Sequence, residues 1–272
     1  MATAKKIVMA AAGVSTGTTP TLTQAFNSGV LAGGTSQSAY SQWSYTFTAP
    51  ALPSGYVAGE RHFFVMTGTR DSGGAVDNNR YTNTLASMRI ENSDNSINTL
   101  TARASMTVEV DGHSDFNSAV IGHLIADAVG STTIYFNRSY ATGGGSDYMG
   151  VLVVDGVTSI VSSTVSSNNV DSATSSVNVN TGTTGTLGTA QLRMVVGASS
   201  NSGSANPVYT KNASEPTYTT LGQGENGTSE RFGMFYAFTN TSPITQAITG
   251  TVSTSTSSSG GLGHAAALIN LN

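Results

Sequence analysis

Two hydrophobic patterns alternate along this chain. The first is strict alternation. Leu100, Ala102, Ala104, Met106, Val108 and Val110 interleave with Thr101, Arg103, Ser105, Thr107 and Glu109. Trp43, Tyr45 and Phe47 interleave with Gln42, Ser44 and Thr46 in the same way. A period of two predicts strands with one face on a core and one in water. The second pattern is a run of consecutive apolar residues. It occurs at Phe63-Phe-Val-Met66, Ala119-Val-Ile-Gly-His-Leu-Ile125, Met149-Gly-Val-Leu-Val-Val154, Leu192-Arg-Met-Val-Val196, Phe232-Gly-Met-Phe-Tyr-Ala-Phe238 and Ala265-Ala-Ala-Leu-Ile269. Runs this short, bounded by Gly, Pro, Asn and Ser, predict central strands covered more completely. No segment shows a capped 3.6-residue period of useful length. The expected class is all-β, built from antiparallel sandwich or jelly-roll units.

The patterns occur twice. The order from Ala119 to Val154 returns from Phe232 to Ile269, at an offset of about 113 residues. Upstream, Gly197-Ala-Ser-Ser-Asn-Ser-Gly203 echoes Thr67-Gly-Thr-Arg-Asp-Ser-Gly73. This predicts two related β-sandwich domains in tandem. The expected boundaries are an extended N-terminal arm at 1–38, a first repeat at 39–155 and a second at 156–272. The second opens with a Ser/Thr/Gly-rich connector, 156–189, read as short strands and long loops in preference to a flexible linker.

Composition narrows the function classes. Charged residues are 10% of the chain, against about 25% in typical domains. The arm carries +2, the first repeat −5 and the second −1, for a net −4. There is no basic stripe, so nucleic acid is not an expected partner. Cysteine is absent, which removes disulfides and thiolate metal sites. No apolar run reaches the roughly 18 residues of a membrane span. The opening Met-Ala-Thr-Ala-Lys-Lys only faintly resembles a secretory signal, because its apolar run is short and alanine-rich.

Candidate chemistry is sparse. Gly13-Val-Ser-Thr-Gly17 has the spacing of a nucleophile elbow but lies in an all-β context, where that strained strand-to-helix turn has no place. His62, His123, His113 and His264 lack metal-ligand spacing and read as strand or turn histidines. Glu109 with Asp111-Gly-His-Ser-Asp115, and Asp71 with Asp77 and Asn78, gather oxygens, so Ca2+ is the one cofactor worth testing; neither has EF-hand order. Otherwise no cofactor is expected, and no catalytic residue. Among the aromatic residues, Tyr209 and Tyr218 in a turn-rich insert are the candidate glycan-binding pair.

The chain resembles, in style, virion structural proteins of tailed bacteriophages: capsid decoration proteins, head fibres and tail-fibre modules. The resemblance lies in the Met-Ala-Thr-Ala-Lys-Lys opening, the absent cysteine, the Ser/Thr/Gly loops and the terminal Gly260-Gly-Leu-Gly-His-Ala-Ala-Ala-Leu-Ile269 strand. It implies a non-enzymatic β-sandwich protein on the capsid surface, held to the major capsid protein or other virion subunits by its arm and first domain, and homo-oligomeric. The alternative is a carbohydrate-binding adhesin or tail-fibre module recognising host surface polysaccharide. A second alternative is a secreted bacterial surface or filament protein.

Overall fold

The computed structural model describes residues 19–32, 35–37, 40–71, 87–91, 97–109, 116–138, 146–170, 174–199, 205–226, 230–254 and 261–272. Among the described residues there are seventeen strands and no helix. The N-terminal half contributes β1 (Thr21–Ala32), β2 (Thr35–Gln37), β3 (Tyr40–Ala49), β4 (His62–Asp71), β5 (Ser87–Glu91), β6 (Ile97–Glu109), β7 (Phe116–Ile125), β8 (Gly130–Arg138) and β9 (Ser146–Asp155). The C-terminal half contributes β10 (Ile160–Val170), β11 (Ser176–Asn178), β12 (Ala190–Ser199), β13 (Val208–Thr210), β14 (Thr219–Asn226), β15 (Glu230–Thr239), β16 (Thr251–Ser253) and β17 (Leu262–Leu271). The pairings are antiparallel, as the sequence predicts. Thr21–Ala32, expected to lie in the arm, is instead a strand along β9. Its polar outer residues hide the short apolar set, Leu22 and Ala25, that it lays on the core.

The nine N-terminal strands run in the order β1-β9-β4-β7-β6-β5-β8-β3-β2. They make two layers that share β6. The first four residues of β6, Ile97–Leu100, pair with β5, and the rest pairs with β7 after a register shift between Ala102 and Ala104. An extra residue of this kind bends a strand and raises its twist, which suits the strand that turns the corner. A core of Phe47, Phe63, Val65, Leu124, Ile134 and Val151 fills the space between these layers.

The C-terminal half has a five-stranded sheet, β10-β17-β12-β15-β14, and a three-stranded one, β11-β16-β13. Val177, Val195, Phe235, Val252 and Leu268 pack between them. The five-stranded sheet also packs on the inner layer of the N-terminal half. Phe64, Met66, Leu152, Leu192, Met194 and Ile269 belong to this middle core. The described residues therefore stack in four layers around three cores.

This stacking explains the consecutive apolar runs. In β4, Phe63 and Val65 enter the first core while Phe64 and Met66 enter the middle one. In β17, Ala265, Ala267 and Ile269 face the middle core, and Ala266 and Leu268 face the third. A strand covered on both faces loses its polar alternation, and each fully buried Leu, Phe or Met contributes about 1.5–3 kcal/mol.

The strand order recurs between the halves. Exchanging β1, β9, β4, β7 and β6 for β10, β17, β12, β15 and β14 turns one inner sheet into the other, and β5-β8-β3 corresponds to β13-β16-β11. The packing is reciprocal as well. β6 meets β10 and β17, while β14 meets β1 and β9; β7 meets β12, while β15 meets β4. Reciprocal contacts of this kind are the signature of a two-fold relation. Glycines shape the contact from both sides. A Cβ on Gly68 would overlap Phe232, one on Gly150 would overlap Leu221, and one on Gly224 would meet Tyr148 at 2.5 Å.

Candidate functional site

The N-terminal half closes at one end around Arg61, which is fully buried. Its guanidinium has five N–H groups, and each has an acceptor. Nε donates to Asp155 Oδ1 at 2.6 Å and Nη2 to Asp155 Oδ2 at 2.9 Å. Nη1 donates to the carbonyls of Pro50 at 2.7 Å and Ala128 at 2.6 Å, and Nη2 to that of Ala51 at 3.2 Å. The forked geometry with the carboxylate is the strong form of such a pair. Arg61 stands just ahead of β4, and Asp155 ends β9. One side chain thus ties two strands to two loops. Tyr56 extends the cluster: its hydroxyl accepts from Arg61 N–H at 2.8 Å and donates to Asp127. Burial, and then the Asp127 carboxylate, push this phenol well above its usual range.

A cavity of about 460 Å³ opens beside this cluster, between the start of β1, the Pro53–Tyr56 turn and the end of β9. Thr21, Leu22, Thr23, Pro53, Tyr56 and Asp155 line it. Asp155 also accepts from Thr23 Oγ1 at 2.6 Å. The cavity offers a ring, a proline, threonine side chains and a carboxylate paired with Arg61.

Tyr209 and Tyr218, the candidate glycan pair, do meet. Their rings lie edge to face with centroids 4.8 Å apart, a favoured aromatic geometry. Both pack against the third core. Both hydroxyls donate to Glu215 Oε2 at 2.9 Å. Glu215 also accepts at Oε1 from Thr249 N–H at 2.9 Å and Asn212 N–H at 3.3 Å. Tyr209 Oη in turn accepts from Gly250 N–H at 3.0 Å. Desolvation raises both phenols well above their usual range, and the Glu215 carboxylate adds to it. The buried Arg193 lies 3.8 Å from Glu215 and spends its best hydrogen bonds elsewhere, on Gln246 O at 2.6 Å and Gln191 Oε1 at 2.9 Å. The pair is thus anchored from below, and both side chains are half-buried.

Arg61, Asp155, Arg193 and Glu215 were not read from the sequence as site residues. A signal existed for Arg193, a lone cation inside the apolar run Leu192–Val196. Such a residue needs a buried partner. Nothing local names that partner.

His62, His123 and His264 are built into strands, and His113 lies outside the described residues. His62 Nδ1 and His123 Nε2 are 2.9 Å apart, and the His123 ring stacks on Phe64 with centroids 4.8 Å apart. His264 Nε2 is 3.1 Å from Ser166 Oγ, while its Nδ1 has no hydrogen-bond partner. Burial lowers its pKa to about 4. A proton on Nδ1 would find no acceptor, which is the geometric side of the same effect. Among the described residues no three His, Asp or Glu side chains come together as a metal site. Ser15, the Asp111–Asp115 cluster and the side chains of Asp71, Asp77 and Asn78 lie outside the described residues. No helix among the described residues is long and apolar enough to cross a membrane.

No family model, no curated protein and no solved structure matches this chain.

Proposed function

We propose that the protein is a non-enzymatic structural component of a particle, two jelly rolls fused back to back, and that the particle is a tailed-phage virion with this chain on its capsid surface. The jelly-roll reading is supported by the strand order. β1-β9-β4-β7 against β3-β8-β5-β6 follows the two four-stranded sheets of that fold, and the C-terminal half keeps the orders β10-β17-β12-β15 and β11-β16-β13, with β14 paired to β15. One observation carries the functional reading: the buried charges Arg61, Asp155, Arg193 and Glu215 are all turned inward, onto loops and onto each other. They brace a thick β-body. In this reading the N-terminal half, with the residues ahead of β1, contacts the major capsid protein, and the C-terminal half projects.

A second reading, recognition of host surface polysaccharide, is favoured by the cavity beside Tyr56. The cavity sets the Tyr56 ring beside Pro53 and three threonines, whereas the Tyr209 and Tyr218 hydroxyls are held by Glu215. Quantitative mass spectrometry of purified particles against the major capsid protein separates the readings. Hundreds of copies per particle are expected for a capsid component. A handful would move the protein to a fibre, with the cavity as its sugar site. None would overturn the virion reading.

A further inference from the structure

The five-stranded sheet of the C-terminal half ends on β10. β17 holds one side of this strand, and among the described residues no strand pairs with the other. Proteins ordinarily blunt such edges with charge, proline, bulges or brevity. β10 does little of this, although the Ser162 and Thr164 hydroxyls donate to the Thr186 and Gly182 carbonyls of a neighbouring loop at 2.6 and 3.3 Å. It is eleven residues long, Ile160-Val-Ser-Ser-Thr-Val-Ser-Ser-Asn-Asn-Val170, with no charge and no proline. After one shift between Ile160 and Ser162, its register on β17 is unbroken to Val170. The corresponding edge of the N-terminal half is guarded. β1 loses register between Leu22 and Gln24 and again between Asn27 and Val30, around Gly29 at φ 63°. The opposite edge of the same sheet, β14, also slips, between Thr220 and Gly222.

We infer that β10 is a pairing edge whose occupant is the β10 of a second copy, running antiparallel about a two-fold axis through Val165. Val165 lies at the middle of the strand and is 46% exposed. Self-pairing there sets Val165 against Val165, Thr164 against Ser166, Ser163 against Ser167 and Ser162 against Asn168. A β-branched pair at the centre flanked by small hydroxyls is a favourable cross-strand set. No like charges meet, because the strand has none. A charged peptide would find no counter-charge on β10, and an apolar one would find one exposed apolar side chain, Val165, among serines and asparagines. The self-pair is isologous, so it closes at two copies and consumes both edges. It joins two five-stranded sheets into one. The contact is small, below about 1,200 Å², which places it among weak, concentration-dependent interfaces. The inference does not depend on the virion reading, since it concerns the isolated chain.

Sedimentation velocity on the full chain, over a wide concentration range, tests it together with two variants. The wild type should pass from monomer to dimer with concentration. Val165→Lys, on an exposed position, should leave the fold intact by circular dichroism and shift the equilibrium to monomer by at least tenfold. In Val165→Cys, the two thiols would lie on partners about 4.5–5.5 Å apart between Cα atoms, within disulfide reach. The chain has no other cysteine, so mild oxidation should give a single cross-linked dimer. The same oxidation of Val57→Cys, on a loop and 51% exposed, should not. A wild type that stays monomeric, a dimer that survives Val165→Lys, or a Val165→Cys variant that cross-links no better than Val57→Cys would overturn the proposal.

Discussion

The two halves solve the same problem differently. Each buries an arginine and a carboxylate at the end of a sandwich, and each uses the arginine to hold loops. In the N-terminal half the ions meet directly, at 2.6 and 2.9 Å, and Arg61 spends its other donors on three carbonyls. In the C-terminal half they stand 3.8 Å apart. There Glu215 is satisfied by two phenols and two backbone N–H groups, and Arg193 by glutamine and carbonyl oxygens. A buried charge needs donors or acceptors around it, whether ionic or neutral. The difference lies in what is left behind when one partner is removed.

The sharpest break of the comparison is Asp155→Ala. It leaves a fully buried guanidinium without its counter-ion, and that class of change costs about 3–5 kcal/mol. Urea unfolding should show the loss. A loss under 1 kcal/mol would mean that the carbonyls alone carry Arg61.

Acid should separate the halves next, through His264. The unfolded chain takes up this proton below its ordinary pKa of 6.5, the folded chain only below about 4. Between those values the unfolded state binds more protons, so stability is full above pH 6.5 and falls as pH drops toward 4. The fall is on the order of 3 kcal/mol. His264→Gln should flatten that part of the stability profile; parallel profiles for the two proteins would sink the assignment.

The smallest effect is expected from Glu215→Gln. Its neutral donors do not depend on a full charge, so the variant loses only the hydrogen bonds that an amide NH₂ now opposes, about 1–3 kcal/mol. If it costs as much as Asp155→Ala in the same urea experiment, the contrast between an ionic and a neutral solution is wrong.

Much of the fold was legible in the chain. The consecutive apolar runs at Phe63–Met66, Met149–Val154 and Ala265–Ile269 signal strands covered on both faces, and those are the strands of the inner sheets. The repeat over Ala119–Val154 and Phe232–Ile269 reappears as matching strand order. β1 was hidden because an edge strand buries few side chains, and its Thr, Gln, Asn and Ser residues read as an arm. β10 and β11 were visible only as β-prone fragments in a polar connector. Of the chemistry, the sequence brought forward Tyr209 and Tyr218, which do meet, but not the glutamate beneath them.

What the sequence determined by itself is local: which residues extend, which strands are apolar on both sides, and that the pattern occurs twice. These follow from periodicity, because side-chain direction alternates along any strand. What only the tertiary structure decided is which distant groups share a buried space. Arg61 and Asp155 stand 94 residues apart, and Ser166 and His264 stand 98 apart. The desolvation that makes each pairing necessary exists only once four sheets have stacked and excluded water.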